Sequence, residues 1–372
     1  MTRRVLLLIN SLEGGGAENV MARLAGDLAA RNVETEIRLA LLDDLPAAHT
    51  VSPLVDVTRL DGRGSYWRSI RAVNRLIRSW RPDIVLSFLT RANCAALLAR
   101  RTTRFHCVIS ERVNTTSHLG TGIRGRVLRR IVAGLYPHAD AVVAVSRGVR
   151  DDLVSGYRVP AARISVINNP FGIDTLQACA AAPASIPLPD DFFVSVGRLV
   201  PNKAGDVLLR AFAAHRNETR HLVMLGEGPE RARLEDLTRA LGLETRVHLP
   251  GFVDNPQAIV GRATAYLSAS RSEGFPNALV EALAVGRPVA VTDCPSGPSE
   301  ILGMADSVDR TGVRHAEAGL LVPVDDVAAL TAAMDLLDDP DQREHYSHRA
   351  SERVRGFSAT SVFDQYASIL GL

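Results

Sequence analysis

Lysine is almost absent from this chain of 372 residues. The 43 basic residues are 42 arginines and one lysine, Lys203. A GC-rich genome accounts for the arginine bias but not for where the exception falls. Aromatic residues make up only 5%, which argues against an aromatic-lined carbohydrate cleft or a nucleic-acid stacking platform. The four cysteines, Cys94, Cys107, Cys179 and Cys294, are scattered, with no CxxC or Cys/His spacing. That argues against a disulfide framework or a zinc site and for an intracellular protein. No uninterrupted apolar run reaches the ~18 residues of a spanning helix. Arg3-Arg4 before Val5–Ile9 resembles the start of a signal peptide, but Asn10 ends the run too soon. It reads as a first strand. HExxH, GxSxG, Walker and EF-hand patterns are missing, so no metal is expected.

What is present is an ordinary globular composition, 46% hydrophobic and 23% charged, long enough for two domains. The net charge of +2 conceals an asymmetry. Residues 1–180 hold 25 arginines against 15 acidic residues, whereas 181–372 hold 18 basic against 26 acidic. The change of sign supports a boundary near 180. Short β-branched runs alternate with longer amphipathic stretches in both halves. Val5–Ile9, Glu34–Ala40, Asp83–Phe88, Cys107–Ser110, Ala141–Val145 and Ile164–Ile167 read as strands, with helices between them. The pattern resumes with strands at Phe192–Val196, His221–Leu225, Val247–Leu249, Ala265–Leu267 and Pro288–Val291. Such alternation means crossovers and mainly parallel sheets. The expected organisation is a first domain over 1–178, an Ala/Pro-rich linker over 179–191, a second domain over 192–356 and a closing segment over 357–372. In open sheets of this kind ligands bind beyond the carboxyl ends of the strands.

Three clusters sit at such ends. Gly14-Gly15-Gly16-Ala17-Glu18 follows the first strand and opens a helix, where backbone N–H groups can meet an anion or a sugar. Its spacing is not GxGxxG, so the dinucleotide fingerprint is absent. Gly197 to Lys203 places Arg198 and the sole lysine on one loop, a fork and a point charge that could clamp a diphosphate. Glu273 and Glu281 form an E-x7-E segment, with Asn277 and Glu281 on one helical face. Carboxylates suit the hydroxyls of sugars and ribose, because an ionised carboxylate only accepts hydrogen bonds. A carboxylate pair also suits glycoside hydrolysis, but a hydrolase has no use for a diphosphate clamp.

Taken in order, the Gly14–Glu18 loop, Val166–Pro170, Gly197–Lys203, Leu225–Pro229, Pro250–Phe252 and Glu273–Glu281 resemble a family 4 retaining glycosyltransferase of the GT-B fold. The resemblance implies two Rossmann-like α/β domains facing each other across a deep cleft. It assigns Arg198 and Lys203 to the donor diphosphate and Glu273 to the donor sugar, these three carrying catalysis. The Phe275-Pro276-Asn277 stretch would offer backbone N–H groups to sugar and phosphate, and Glu281 would hold the ribose. Gly15 and Gly16 would close over the phosphate, with Glu227 and Phe252 near the base. No cofactor is implied beyond the nucleotide-sugar co-substrate. Cys294–Leu302 further resembles a subgroup building bacterial surface glycans, which favours a UDP-sugar over GDP-mannose. The transfer would proceed with retention, through front-face attack assisted by the leaving phosphate.

Relatives often carry a His in the loop after the fourth strand of the first domain. Here Ser110-Glu111-Arg112-Val113-Asn114 stands in its place, which makes Glu111 and Arg112 candidates for contact with donor or acceptor. Arg124, Arg126, Arg129 and Arg130 line a basic helix suited to an anionic inner-membrane surface. The expected protein is cytoplasmic, peripheral on that surface, and moves a hexose or N-acetylhexosamine to a lipid-linked or growing glycan. A sugar-nucleotide epimerase of the same fold and a non-catalytic nucleotide-sugar-binding module are the alternatives. Low aromatic content sets nucleic acid aside as a partner.

Overall fold

The computed structural model describes residues 2–31, 34–120, 122–304 and 311–372. Among these residues two seven-stranded sheets form. The first comprises β1 (Arg3–Ile9), β2 (Thr35–Leu41), β3 (Asp56–Arg59), β4 (Ile84–Phe88), β5 (His106–Glu111), β6 (Ala141–Ala144) and β7 (Ile164–Val166). Its order is β3-β2-β1-β4-β5-β6-β7, parallel throughout. The second comprises β8 (Phe192–Val196), β9 (His221–Leu225), β10 (Val247–Gly251), β11 (Ala265–Ser268), β12 (Val289–Thr292), β13 (Arg314–Ala316) and β14 (Gly319–Val322). Its order is β10-β9-β8-β11-β12-β14-β13, parallel except for the β13–β14 pair. Strands covered on both faces read as continuous apolar runs. Accordingly β4 is buried along its whole length, and β1 from Val5 to Ile9.

The helices read equally directly. Tyr66–Trp80 begins at Ser65, whose side chain accepts from the Arg68 N–H. Val73, Ile77 and Trp80 are buried at helical spacing, leaving Arg68, Arg71, Arg75 and Arg78 outside.

The chain divides into two compact units, Met1–Pro170 with Ala359–Leu372, and Phe171–Ser358. The division falls ahead of the Ala/Pro-rich stretch. Ile173–Ala181 is a helix of the second unit, tied to it by Gln177 donating to the Ala284 carbonyl at 3.2 Å and Asn255 to the Cys179 carbonyl at 2.9 Å. Residues 171–178 therefore stand in the second unit rather than the first, and 182–191 form a loop within it. Pro183, Pro187 and Pro189 keep the helix from continuing, but they do not part the units. The helix Ala359–Leu370 belongs to the first unit, where Val362, Phe363, Tyr366 and Leu370 join its core.

Candidate active site

Both strand orders change direction at the middle of the sheet, between β1 and β4 and between β8 and β11. That reversal is where ligands bind in doubly wound sheets. In the second unit the loop after β8 carries Arg198 and Lys203, and the loop after β11 carries Glu273. The structure brings the last two together: Lys203 Nζ lies 2.5 Å from Glu273 Oε1. The Lys203 side chain is 33% exposed and that of Glu273 13%. Arg198 is exposed, and among the described residues its guanidinium makes no ion pair. The pocket lined by these loops has a volume of only about 30 Å³. Small-molecule sites run to several hundred Å³, so this pocket by itself is too small to enclose such a ligand.

Sequence reasoning missed the side chain that fixes this geometry. Arg271 donates to the Pro201 carbonyl at 2.7 Å and to Asp325 at 2.7 Å, and its backbone N–H donates to the Asn202 carbonyl at 2.8 Å. Asp206 faces the same guanidinium at 3.4 Å. The Pro201–Lys203 turn is thus fastened to the loop that carries Glu273. The available signal was the position of Arg271, two residues before Glu273.

The next strand ends continue the surface. Gly226 holds φ +133°, and a Cβ there would strike the Gly197 carbonyl, so only glycine lets β8 and β9 end this close together. Leu199 N–H donates to the Glu227 carbonyl at 2.8 Å, and Gly226 N–H to that of Gly251. The Glu227 carboxylate pairs with Arg231 at 2.8 Å, and Phe252 stands 76% exposed after β10. The helix Asn277–Ala284 starts at Pro276, which itself lacks an N–H, so Pro276 cannot donate as part of the expected backbone cradle. The Phe275 ring is buried against Phe171 and Phe357, with centroids at 6.4 and 5.6 Å. Its side chain supports the turn and does not face a ligand. Glu281 is partly buried and accepts from Gln257 at 3.0 Å, and burial raises its pKa above the usual carboxylate value.

In the first unit, Gly14–Gly16 opens the helix Gly16–Arg31 beside the β1/β4 reversal, and the Glu18 side chain curls over Gly15. The expectation that Glu111 and Arg112 present themselves to donor or acceptor is corrected by their burial. Glu111 is 0% exposed and takes hydrogen bonds from Tyr136 at 2.6 Å, Asn93 at 2.9 Å, Thr90 at 3.2 Å and Thr115 at 3.4 Å. Burial pushes its pKa up to about 7 against the pull of these donors. Arg112 donates to Tyr366 Oη at 2.6 Å and to Asn169, and it lies over the Phe88 ring at 4.7 Å. It fastens the C-terminal helix to the first sheet.

The basic helix runs over Ile123–Leu135. Arg124, Arg126 and Arg130 are exposed, while Arg129 donates to the Gly120 carbonyl at 2.6 Å. Ile123, Val127 and Ile131 share the exposed face at four-residue steps. Among the described residues, His215, Asp335 and Asp338 are close enough to hold a metal. Arg216 pairs with Asp335 at 3.0 Å and Arg220 approaches Asp338 at 3.2 Å, so arginine cations already neutralise these carboxylates. The Asp339-Pro340-Asp341 sequence has a metal-chelating spacing, but Asp339 caps the helix Pro340–Arg353. No described helix is long and apolar enough to cross a membrane.

Two Rossmann-like α/β units, each with its candidate loops at the strand reversal, define a protein of the GT-B fold class. Residues 14–175 match the family model of Glycosyltransferase Family 4, and residues 181–353 that of Glycosyl transferases group 1. The chain belongs to the family 4 glycosyltransferases of the GT-B fold, and it is a transferase. It is 28% identical over 373 residues to a Campylobacter jejuni N-acetylgalactosamine-N,N'-diacetylbacillosaminyl-diphospho-undecaprenol 4-alpha-N-acetylgalactosaminyltransferase, covering 96% of each chain. It is also 28% identical to the lipopolysaccharide core biosynthesis glycosyltransferase LpsD of Rhizobium meliloti, over 82% of this chain and 78% of that one. The crystal structure of HepE from Anabaena in complex with UDP and glucose matches the fold with a TM-score of 0.79. That match covers 99% of both chains at 18% identity.

Proposed function

We propose that the protein transfers a hexose or N-acetylhexosamine, with retention, from a UDP-sugar to a lipid-linked or growing bacterial glycan. The observation that carries this reading is the Lys203–Glu273 pair at the β8/β11 reversal, with the exposed Arg198 on the same loop as Lys203. Arg198 and Lys203 hold the donor diphosphate and stabilise the charge that develops as the nucleotide departs. Glu273 accepts from hydroxyls of the donor sugar. Glu281, kept in place by Gln257, accepts from the ribose, and the exposed Phe252 lies near the base with Glu227. Gly15 and Gly16 offer backbone N–H groups to the phosphate. The relatives' names support the acceptor class: the Campylobacter enzyme is named for a diphospho-undecaprenol acceptor and the Rhizobium one for lipopolysaccharide core. UDP in the HepE complex supports the donor. The exposed Ile123, Val127 and Ile131, bordered by Arg124, Arg126 and Arg130, fit peripheral docking on an anionic inner leaflet, with Arg129 adding charge.

The test is thermal stabilisation of the purified protein by UDP, GDP, ADP and dTDP and their sugars. Arg198→Ala and Lys203→Ala variants run alongside. Saturating UDP should stabilise the wild type by about 3 kcal/mol at ~100 times its Kd, and both variants should lose the shift. Stabilisation by GDP alone would replace the donor class. A flat response to the whole panel would refute the nucleotide reading.

A further inference from the structure

Resting on that diphosphate reading, we propose that Glu273 sets the preference of this site for a sugar-bearing donor over the free nucleoside diphosphate, so that it drives release of the nucleotide product. The sequence places two cations on the loop after β8, but the structure offers a ligand the charge of only one. Arg198 is open, whereas Lys203 is matched by the Glu273 carboxylate at 2.5 Å. The carboxylate is not a drifting surface group. Its side chain is 13% exposed, and the loops bearing the two partners are joined by Arg271, by the Asn202 carbonyl and by Asn202 donating to the Ser272 carbonyl at 3.4 Å. A ligand that reaches Lys203 must therefore share the lysine with a fixed negative charge.

Donor and product differ in how they meet that charge. The terminal phosphate of a free nucleoside diphosphate is a monoester-like group bearing about −1.5 to −2. Once esterified to a sugar it keeps a single ionisable oxygen and brings hydroxyls that donate. A carboxylate only accepts. It repels the free diphosphate more strongly and takes hydrogen bonds from the sugar of the donor. By the same charge Lys203 favours the free diphosphate, so Glu273 is the group that opposes this bias and supplies discrimination towards the donor.

The test measures binding of UDP, UMP and UDP-glucose by calorimetry at fixed ionic strength. It compares the wild type with Glu273→Gln, Lys203→Gln and the double variant. Glu273→Gln should tighten UDP by about 10-fold or more, because a repulsion at close range in a partly shielded site disappears. UMP, which ends one phosphate earlier, should change by less than about threefold, since the effect falls with distance. UDP-glucose should not tighten, so the ratio of the two affinities moves towards UDP. Lys203→Gln should bind UDP more weakly than the double variant, in which the unpaired carboxylate is gone. That ordering compares two variants carrying the same lysine change. Equal tightening of UDP and UDP-glucose, or no tightening of UDP by Glu273→Gln, overturns the inference while leaving the donor site standing. Absence of UDP binding in the wild type removes the UDP reading and this inference with it.

Discussion

The two sheets share the order of their first five strands and one point of reversal, yet they treat charge there in opposite ways. Beyond β8, Arg198 is exposed and Lys203 is one-third exposed, both on one loop. At the end of β5, Glu111 and Arg112 are enclosed, at 0% and 6% exposure, and among the described residues their partners lie within the first unit. Topology puts polar residues at strand ends in both cases. What differs is whether other segments close over them. The helix Ala359–Leu370 brings Tyr366 onto Arg112, and Thr90, Asn93 and Tyr136 surround Glu111. Strand-end position marks where chemistry could occur, and cover decides whether it does.

The sharpest way to break this comparison is to delete one charge from the open site and follow turnover and stability separately. Arg198→Ala should lower turnover by about 10²–10³, the cost of removing one preorganised donor from a developing negative charge. The melting temperature should hardly change, since Arg198 has no ion-pair partner to abandon among the described residues. A large loss of stability with unchanged turnover would place Arg198 with the structural group instead.

The enclosed site should respond to pH through stability. The Glu111 pKa is pushed up to about 7 from a usual 4.5, so the folded chain keeps a proton that the unfolded chain has already released. The contribution is complete below about pH 4.5 and disappears as pH rises through 7, amounting to about 3 kcal/mol. Glu111→Gln should remove this slope between pH 4.5 and 7. Both tryptophans, Trp67 and Trp80, lie in the first unit, so urea unfolding followed by their fluorescence reports on that unit. A slope that survives in Glu111→Gln would assign it to another group.

The same contrast explains what could be read in advance. β8 and β9 fall where the apolar runs predict them, because a buried parallel strand needs an unbroken apolar segment. The short β13 and β14, three and four residues joined by a tight turn, carry too little pattern to be legible in sequence. Composition marks the proline-rich loop and not the boundary before it, because the helix Ile173–Ala181 is claimed by contacts with Ala284 and Asn255, far along the chain. Lys203 stood out as the only lysine, and its partner emerged from E-x7-E spacing. The enclosure of Glu111 and Arg112 is invisible to local sequence because their cover comes from residues up to 254 positions away.

The smallest effect probes the cover itself. Tyr366→Phe removes the hydroxyl that accepts from Arg112 Nη1 at 2.6 Å but keeps the ring against Phe88, with centroids 5.8 Å apart. One donor of a buried guanidinium is then left without that partner, while Asn169 and the Phe88 face remain. The loss should be about 1–2 kcal/mol, within the range for a hydrogen bond to a charged group. It should appear in the tryptophan-monitored unfolding of the first unit and leave nucleotide affinity unchanged. If Tyr366→Phe instead weakened nucleotide binding or transfer at constant stability, Arg112 would have a ligand-directed role. Enclosure would then no longer separate the two strand ends.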